Sequence, residues 1–244
     1  MKSLPKAMSQ FRKIQFANFY TTLACLFKCF LARVRRLKNG LIGSALGQEK
    51  RMTIYSAIAA RLGTTKFLVD GAAVVATSLL LAVSAKIAVP FYPVPVTMQT
   101  FVVIGLGLAL GPARGLAAVA LYLAQGAAGF PVFAGTPEKG IGLAYMMGPT
   151  GGYLLGYVPA VLLAGWLAVL GWDRNPFSAM AAALVAGAVI YVPGLLWLGA
   201  VLGFDKPILQ FGLYPFILGD IVKAMLAALV FPLGWKTLEA WSNR

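Results

Sequence analysis

The sequence predicts an all-α integral membrane protein of six transmembrane helices preceded by a basic N-terminal leader. Three observations carry this prediction. Of 244 residues, 60% are hydrophobic and 11% charged, and the mean hydropathy is +0.81. A soluble domain of this length carries about 25% charged residues. From Phe67 onward the apolar residues fall into six segments, approximately 67–87, 97–110, 112–128, 149–171, 177–203 and 211–234. The net charge of +14 is uneven: residues 1–66 hold thirteen Lys and Arg against Glu49 alone, a balance of +12, and residues 67–244 hold the remaining +2.

The leader, residues 1–66, has its own character. An apolar run from Ile14 to Phe27 ends at Lys28, and Arg33, Arg35, Arg36 and Lys38 follow. The run is short for a span, which needs about 20 residues. It reads either as an amphipathic membrane-surface segment or as sequence upstream of a start at Met52. The second reading is preferred here. A secretory signal fits poorly, because no small-residue cleavage site follows the run.

The first apolar segment, 67–87, has the length of a span. The second and third are shorter, and Gly111-Pro112 divides them. Pro suits the first position of a helix, so two short spans joined by a tight turn are expected. The fourth opens on Gly148-Pro-Thr-Gly-Gly-Tyr153, where Pro149 marks a helix start and the glycines permit close approach. The fifth and sixth are separated near Asp205 and Lys206. Together residues 67–238 form the membrane domain, and 239–244 form a short tail. A basic leader on the cytoplasmic side places both termini inside. Arg114, Asp173 and Arg174 then face the cytoplasm, with Lys236, Glu239 and Arg244, while Glu138, Lys139, Asp205 and Lys206 lie outside.

Several chemistries are excluded. The chain has no His and two Cys, Cys25 and Cys29, which read as free thiols. No Gly-x4-Gly-Lys-Ser/Thr loop occurs, so nucleotide hydrolysis by that machinery is absent. A nucleic-acid role has nothing beyond the basic leader to support it.

Asp220 and Lys223 are the most informative residues. Both lie inside the sixth apolar segment. An ionisable group at membrane depth costs roughly 2.5–3.5 kcal/mol on insertion scales, so it faces a bundle interior or a cavity. Their i, i+3 spacing puts both on one helix face. The pair reads either as a mutual ion bridge or as an acceptor and a cation offered to a small polar ligand. With the last span entering from outside at 211, Asp220 lies about nine residues in, roughly 13 Å deep. A site there is reached from outside.

Other motifs surround this pair. The connection Lys86-Ile-Ala-Val-Pro-Phe-Tyr-Pro-Val-Pro-Val-Thr-Met-Gln-Thr100 is stiffened by Pro90, Pro93 and Pro95 and carries Phe91, Tyr92 and Gln99. It reads as a lid or as an interfacial turn with aromatic belt residues. Tyr122 and Gln125 share a helix face at i, i+3. The first span carries small residues four apart, Ala72/Ala76 and Ser78/Ala82, a pattern that serves a partner interface or intramolecular packing.

An ordered set of segments resembles the biotin-specific substrate-binding subunit, or S component, of energy-coupling-factor transporters (the BioY family). The segments are Val94-Pro-Val-Thr-Met-Gln-Thr100, Leu110-Gly-Pro112, Tyr122-Leu-Ala-Gln-Gly126, Gly129-Phe-Pro-Val-Phe-Ala-Gly135, Gly148-Pro-Thr-Gly-Gly-Tyr-Leu-Leu-Gly156 and Gly219-Asp-Ile-Val-Lys-Ala224. They cover about residues 67–238. The resemblance implies a six-helix S-component fold in the cell membrane that binds biotin near the outer face, with Asp220 and Lys223 as the polar pair at the ligand. Lys223 is then assigned to the carboxylate or a polar neighbour, and Asp220 to the ureido N–H groups. Phe91, Tyr92, Phe133 and Tyr153 become apolar walls, and Gln99, Tyr122 and Gln125 hydrogen-bond partners. Biotin is cargo, and no cofactor is implied. A transmembrane coupling protein and two ATPase subunits are the expected partners, docking on the small-residue face of the first span. Two alternatives stand beside this reading. One is an S component for another vitamin. The other is a membrane enzyme using Asp220 and Lys223 as acid and base, which lacks a His, a metal-ligand cluster and a nucleophile beside a base.

Overall fold

The computed structural model describes residues 53–62 and 66–242. The Ile14–Phe27 run, the two cysteines and Arg244 lie outside these residues. The helices are α1 (Ile54–Leu62), α2 (Lys66–Lys86), α3 (Gln99–Leu110), α4 (Pro112–Ala127), α5 (Gly142–Met146), α6 (Gly151–Val169), α7 (Pro176–Leu202), α8 (Ile208–Gly212) and α9 (Tyr214–Ser242). A ribbon of two short strands, β1 (Ala88–Val89) and β2 (Val96–Thr97), pairs antiparallel with Ala88 opposite Thr97. The fold is therefore mostly helical, and the ribbon is an addition to the all-α expectation.

Five of the six apolar segments each coincide with one helix, and the sixth, 211–234, runs from the end of α8 through Leu213 into α9. Four helical stretches are long and apolar enough to cross a membrane: Phe67–Lys86, Gly151–Val169, Pro176–Leu202 and Ile208–Trp241, the last combining α8 and α9. The other two, α3 and α4, have 12 and 16 residues. Helix α1 lies within the stretch assigned above to the leader and packs against α3 and α9. It is also tied to α2 and α4: the Tyr55 hydroxyl donates to Asp70 Oδ1 over 2.5 Å, while Arg114 donates to both Asp70 oxygens at 2.9 and 3.1 Å.

Helix α6 is the centre of the bundle, packing along α7, α3 and α4; α9 packs on α7, and α2 on α4. Glycine allows the close crossings. A Cβ on Gly165 would come within 2.4 Å of the Pro112 nitrogen and 2.7 Å of the Gly111 carbonyl carbon. That places α6 directly against the α3–α4 turn. The turn itself needs Gly111, which adopts φ +83, before Pro112 starts α4.

The two ends of the bundle differ. At the proline-loop end, Lys86 Nζ donates to the carbonyls of Phe133 and Thr136 at 3.2 and 3.1 Å, holding the α4–α5 connection against the end of α2. At the opposite end, Asp173 in the α6–α7 turn is fully buried. Trp235 Nε1 donates to its Oδ2 over 2.6 Å, and the Arg174 guanidinium lies 4.2 Å over the Trp235 ring. Asp173 Oδ1 has no hydrogen-bond partner among the described residues. Burial raises the Asp173 carboxyl from 3.8 to about 6, against the opposing Trp235 hydrogen bond. Between these values the folded chain holds a proton that the unfolded chain has released, so this group's contribution to stability falls as pH rises through about 4 to 6. Asp173→Asn keeps an acceptor for Trp235 and removes the titration. Thermal unfolding measured across this window is expected to lose part of its pH slope in the variant; an unchanged slope contradicts the assignment.

Candidate functional site

Helix α9 begins at Tyr214, after a separate turn of helix at 208–212 and a break at Leu213. Asp220 is thus six residues into α9, roughly 9 Å along the helix. Leu213 leaves helical geometry, so the apolar segment that starts at 211 is not one continuous helix.

Three helices bring polar groups together at this level. Lys223 Nζ donates to Thr100 Oγ1 of α3 over 2.7 Å and lies 3.4 Å from Asp220 Oδ1. The hydroxyl of Tyr191 on α7 donates to the other Asp220 oxygen. The side chains of Lys223 and Asp220 are 9% and 21% exposed. A close ammonium–carboxylate bond measures about 2.7–2.9 Å; at 3.4 Å the pair is coupled but not closed. Lys223 has three donors and uses two among the described residues.

The group stands at the meeting of two cavities. The larger, about 250 Å³, is a crevice between α3, α7 and α9 whose remaining wall is apolar, including Phe101, Ile104, Ala183, Ile217 and Ala224. The smaller, about 40 Å³, lies under the proline loop among Val94, Pro95, Tyr153, Tyr157 and Phe216. Thr100, Tyr191, Asp220 and Lys223 border both. Such a space offers apolar walls and one polar end, the usual make-up of a small-molecule pocket.

The other candidates divide. Tyr153 lines the smaller cavity with its ring, while its hydroxyl donates to the Gly212 carbonyl over 2.7 Å. Gln99 and Tyr122 form a buried network one residue from Thr100: Gln99 Nε2 donates to the Tyr122 hydroxyl over 2.5 Å, and that hydroxyl donates to the Val132 carbonyl over 3.2 Å. They border neither cavity. Gln125 turns away to accept from Ser78 over 2.8 Å. Phe133 is fully buried, stacked on Tyr145 at 5.0 Å and edge-on to Tyr122 at 5.4 Å, so it is core beside the site. Phe91 and Tyr92 lie at the tip of the ribbon, 40% and 83% exposed, and line neither cavity. The loop covers the site with Val94, Pro95 and Thr97 instead. On α2, Ala72 and Ala76 are exposed, whereas Ser78 is buried and Ala82 half-buried against the core.

Thr100, Tyr191, Tyr157 and Phe216 were not singled out from the sequence. Thr100 ends the Val94–Thr100 segment. Tyr191 carried a signal of the same kind as Asp220, a polar group inside an apolar run at Val189-Ile-Tyr-Val192.

Fold and site together define a mostly helical, multi-pass membrane protein with a polar cluster where two cavities between the helices meet. The BioY family model matches residues 52–240. A probable biotin transporter BioY of Pyrococcus horikoshii is 40% identical over 151 residues, covering 62% of this chain and 86% of that one. The biotin transporter BioY of Thermotoga maritima is 38% identical over 152 residues, again 62% and 86% of the two chains. Among solved structures, the crystal structure of an S component for biotin from an ECF-type ABC transporter superposes with a TM-score of 0.60 and 25% identity, covering 71% of this chain and 95% of that one. The chain belongs to the BioY family. It is a member of a transporter family and not an enzyme.

Proposed function

We propose that this chain is the membrane subunit that binds biotin for uptake, capturing it from the outer side of the cell membrane. The observation that carries the reading is the Asp220–Lys223–Thr100–Tyr191 cluster at the junction of two cavities inside apolar helices. The family relationship and the relatives' names support biotin as the ligand. In this reading α3 and α4 join the four longer stretches as membrane spans, the basic leader keeps both termini cytoplasmic, and the proline-loop end faces outward.

The spacing of the pair supports one orientation of the ligand. The polar ends of extended biotin are separated by a fused bicycle and an aliphatic chain. Groups 3.4 Å apart therefore engage one end, not both. A urea presents N–H and C=O side by side, so Asp220 accepts from the ureido N–H and Lys223 donates to its carbonyl. In this reading both residues serve the ureido end, and Lys223 takes that polar neighbour in preference to the carboxylate. Tyr153, Tyr157 and Phe216 give the ring system aromatic walls, and the crevice below takes apolar bulk.

Translocation then calls for an energy source outside the chain. A transmembrane coupling protein with two ATPase subunits would supply it, docking on the α2 face where Ala72 and Ala76 are exposed beside Val75, Leu79 and Val83.

A ligand panel tests the reading. Biotin at a hundredfold excess over its Kd stabilises the folded state by about 2.7 kcal/mol. The unfolding temperature of the detergent-purified chain is expected to rise with biotin and to stay fixed with thiamine, riboflavin and pantothenate. A rise with one of the other vitamins instead assigns the site to that ligand.

A further inference from the structure

The two cavities meet at five residues, and four of them are the polar cluster already described. The fifth is Gly187 on α7. Its backbone gives no reason for glycine: it sits mid-helix with no positive φ. Glycine there is disfavoured against alanine. Nor does packing require it. The other buried helical glycines among the described residues either adopt positive φ, as Gly142 does, or would place a Cβ within 3.0 Å of a neighbour, as at Gly156, Gly165, Gly194 and Gly199. A Cβ on Gly187 would meet Ile104 Cδ1 at 3.6 Å, an ordinary contact, and nothing closer. The residue is nevertheless buried. The space beside it is the join between the cavities.

We propose that Gly187 is a specificity-determining residue: without a side chain there, the site has the width that a fused bicyclic urea needs beside Asp220 and Lys223. The inference rests on the biotin reading above and adds a limit on ring size. A methyl group at 187 narrows the join from the α7 side, opposite the polar groups of α9. A single-ring urea still reaches them, and a fused bicycle does so only by displacing Ile104 or the new side chain.

Desthiobiotin and biotin are the probes, since both carry the cyclic urea and the carboxylate but differ in ring number. Their equilibrium affinities are measured with the wild-type chain, Gly187→Ala and Gly187→Val. One methylene in a pocket changes discrimination by about tenfold or more. The biotin-to-desthiobiotin affinity ratio is expected to fall by about tenfold in the alanine variant and further in the valine variant. Ligand-free thermal stability of Gly187→Ala should equal or exceed wild type. A wild-type ratio in both variants, or a less stable ligand-free Gly187→Ala, overturns the role of Gly187 while leaving the biotin reading intact. A folded wild-type chain that binds neither compound overturns both.

Discussion

Lys223→Ala is expected to weaken biotin binding by about one to two decades, the equivalent of one charge-assisted hydrogen bond at roughly 1.5–3 kcal/mol. The ammonium is nearly buried and spans α9 to α3 through its 2.7 Å bond to Thr100. Removing it takes away the donor offered to the ligand. It also leaves Asp220 with Tyr191 as its remaining partner among the described residues, a carboxylate in an apolar wall. Breaking a buried pair by removing one member carries a penalty beyond the lost bond. The variant should therefore lose some ligand-free stability as well, and affinity must be compared on folded samples at matched temperature. Asp220→Asn keeps the size and an acceptor oxygen and removes the charge, so its loss of affinity should be smaller. Equal affinities for wild type and Lys223→Ala would return the pair to a purely structural ion bridge.

Gly165→Val is expected to give the largest loss of stability among these variants. The atoms that a Cβ would meet, at 2.4–2.7 Å, are backbone atoms of Gly111 and Pro112 in the α3–α4 turn. Backbone of a tight turn cannot rotate aside as a side chain does. Relief requires α6 to move away from the turn, which opens a bundle that α6 centres. Overpacking of this kind costs about 1–3 kcal/mol, and more where nothing can shift. The unfolding temperature in detergent should fall clearly below that of Gly187→Ala, although both variants fill a buried helical glycine. A Gly165→Val chain as stable as wild type would contradict the close crossing.

The positions of the helices were legible because apolar runs, Gly111-Pro112 and Gly148–Tyr153 are local signals. Which helix faces which was not. Tyr191 and Asp220 are 29 residues apart, and Thr100 and Lys223 are 123 apart; no spacing rule joins them. The i, i+3 argument worked for Asp220 and Lys223 but not for Tyr122 and Gln125. Three residues leave about 60° of rotation between side chains. That is enough for Tyr122 to reach Gln99 on α3 while Gln125 reaches Ser78 on α2. Composition likewise marked the proline loop as stiff and aromatic without saying which residues point inward. The ribbon pairing of Val89 with Val96 tucks Val94 to Thr97 over the site and leaves Phe91 and Tyr92 at the tip.

Biotin is expected to be held at Asp220 and Lys223. Equilibrium binding of labelled biotin to the detergent-purified wild-type chain, beside Lys223→Ala and Asp220→Asn, tests this most directly. Binding by wild type is expected to be saturable, displaced by unlabelled biotin and weakened in both variants. A folded wild-type chain that fails to bind, or binds no better than the two variants, contradicts this expectation.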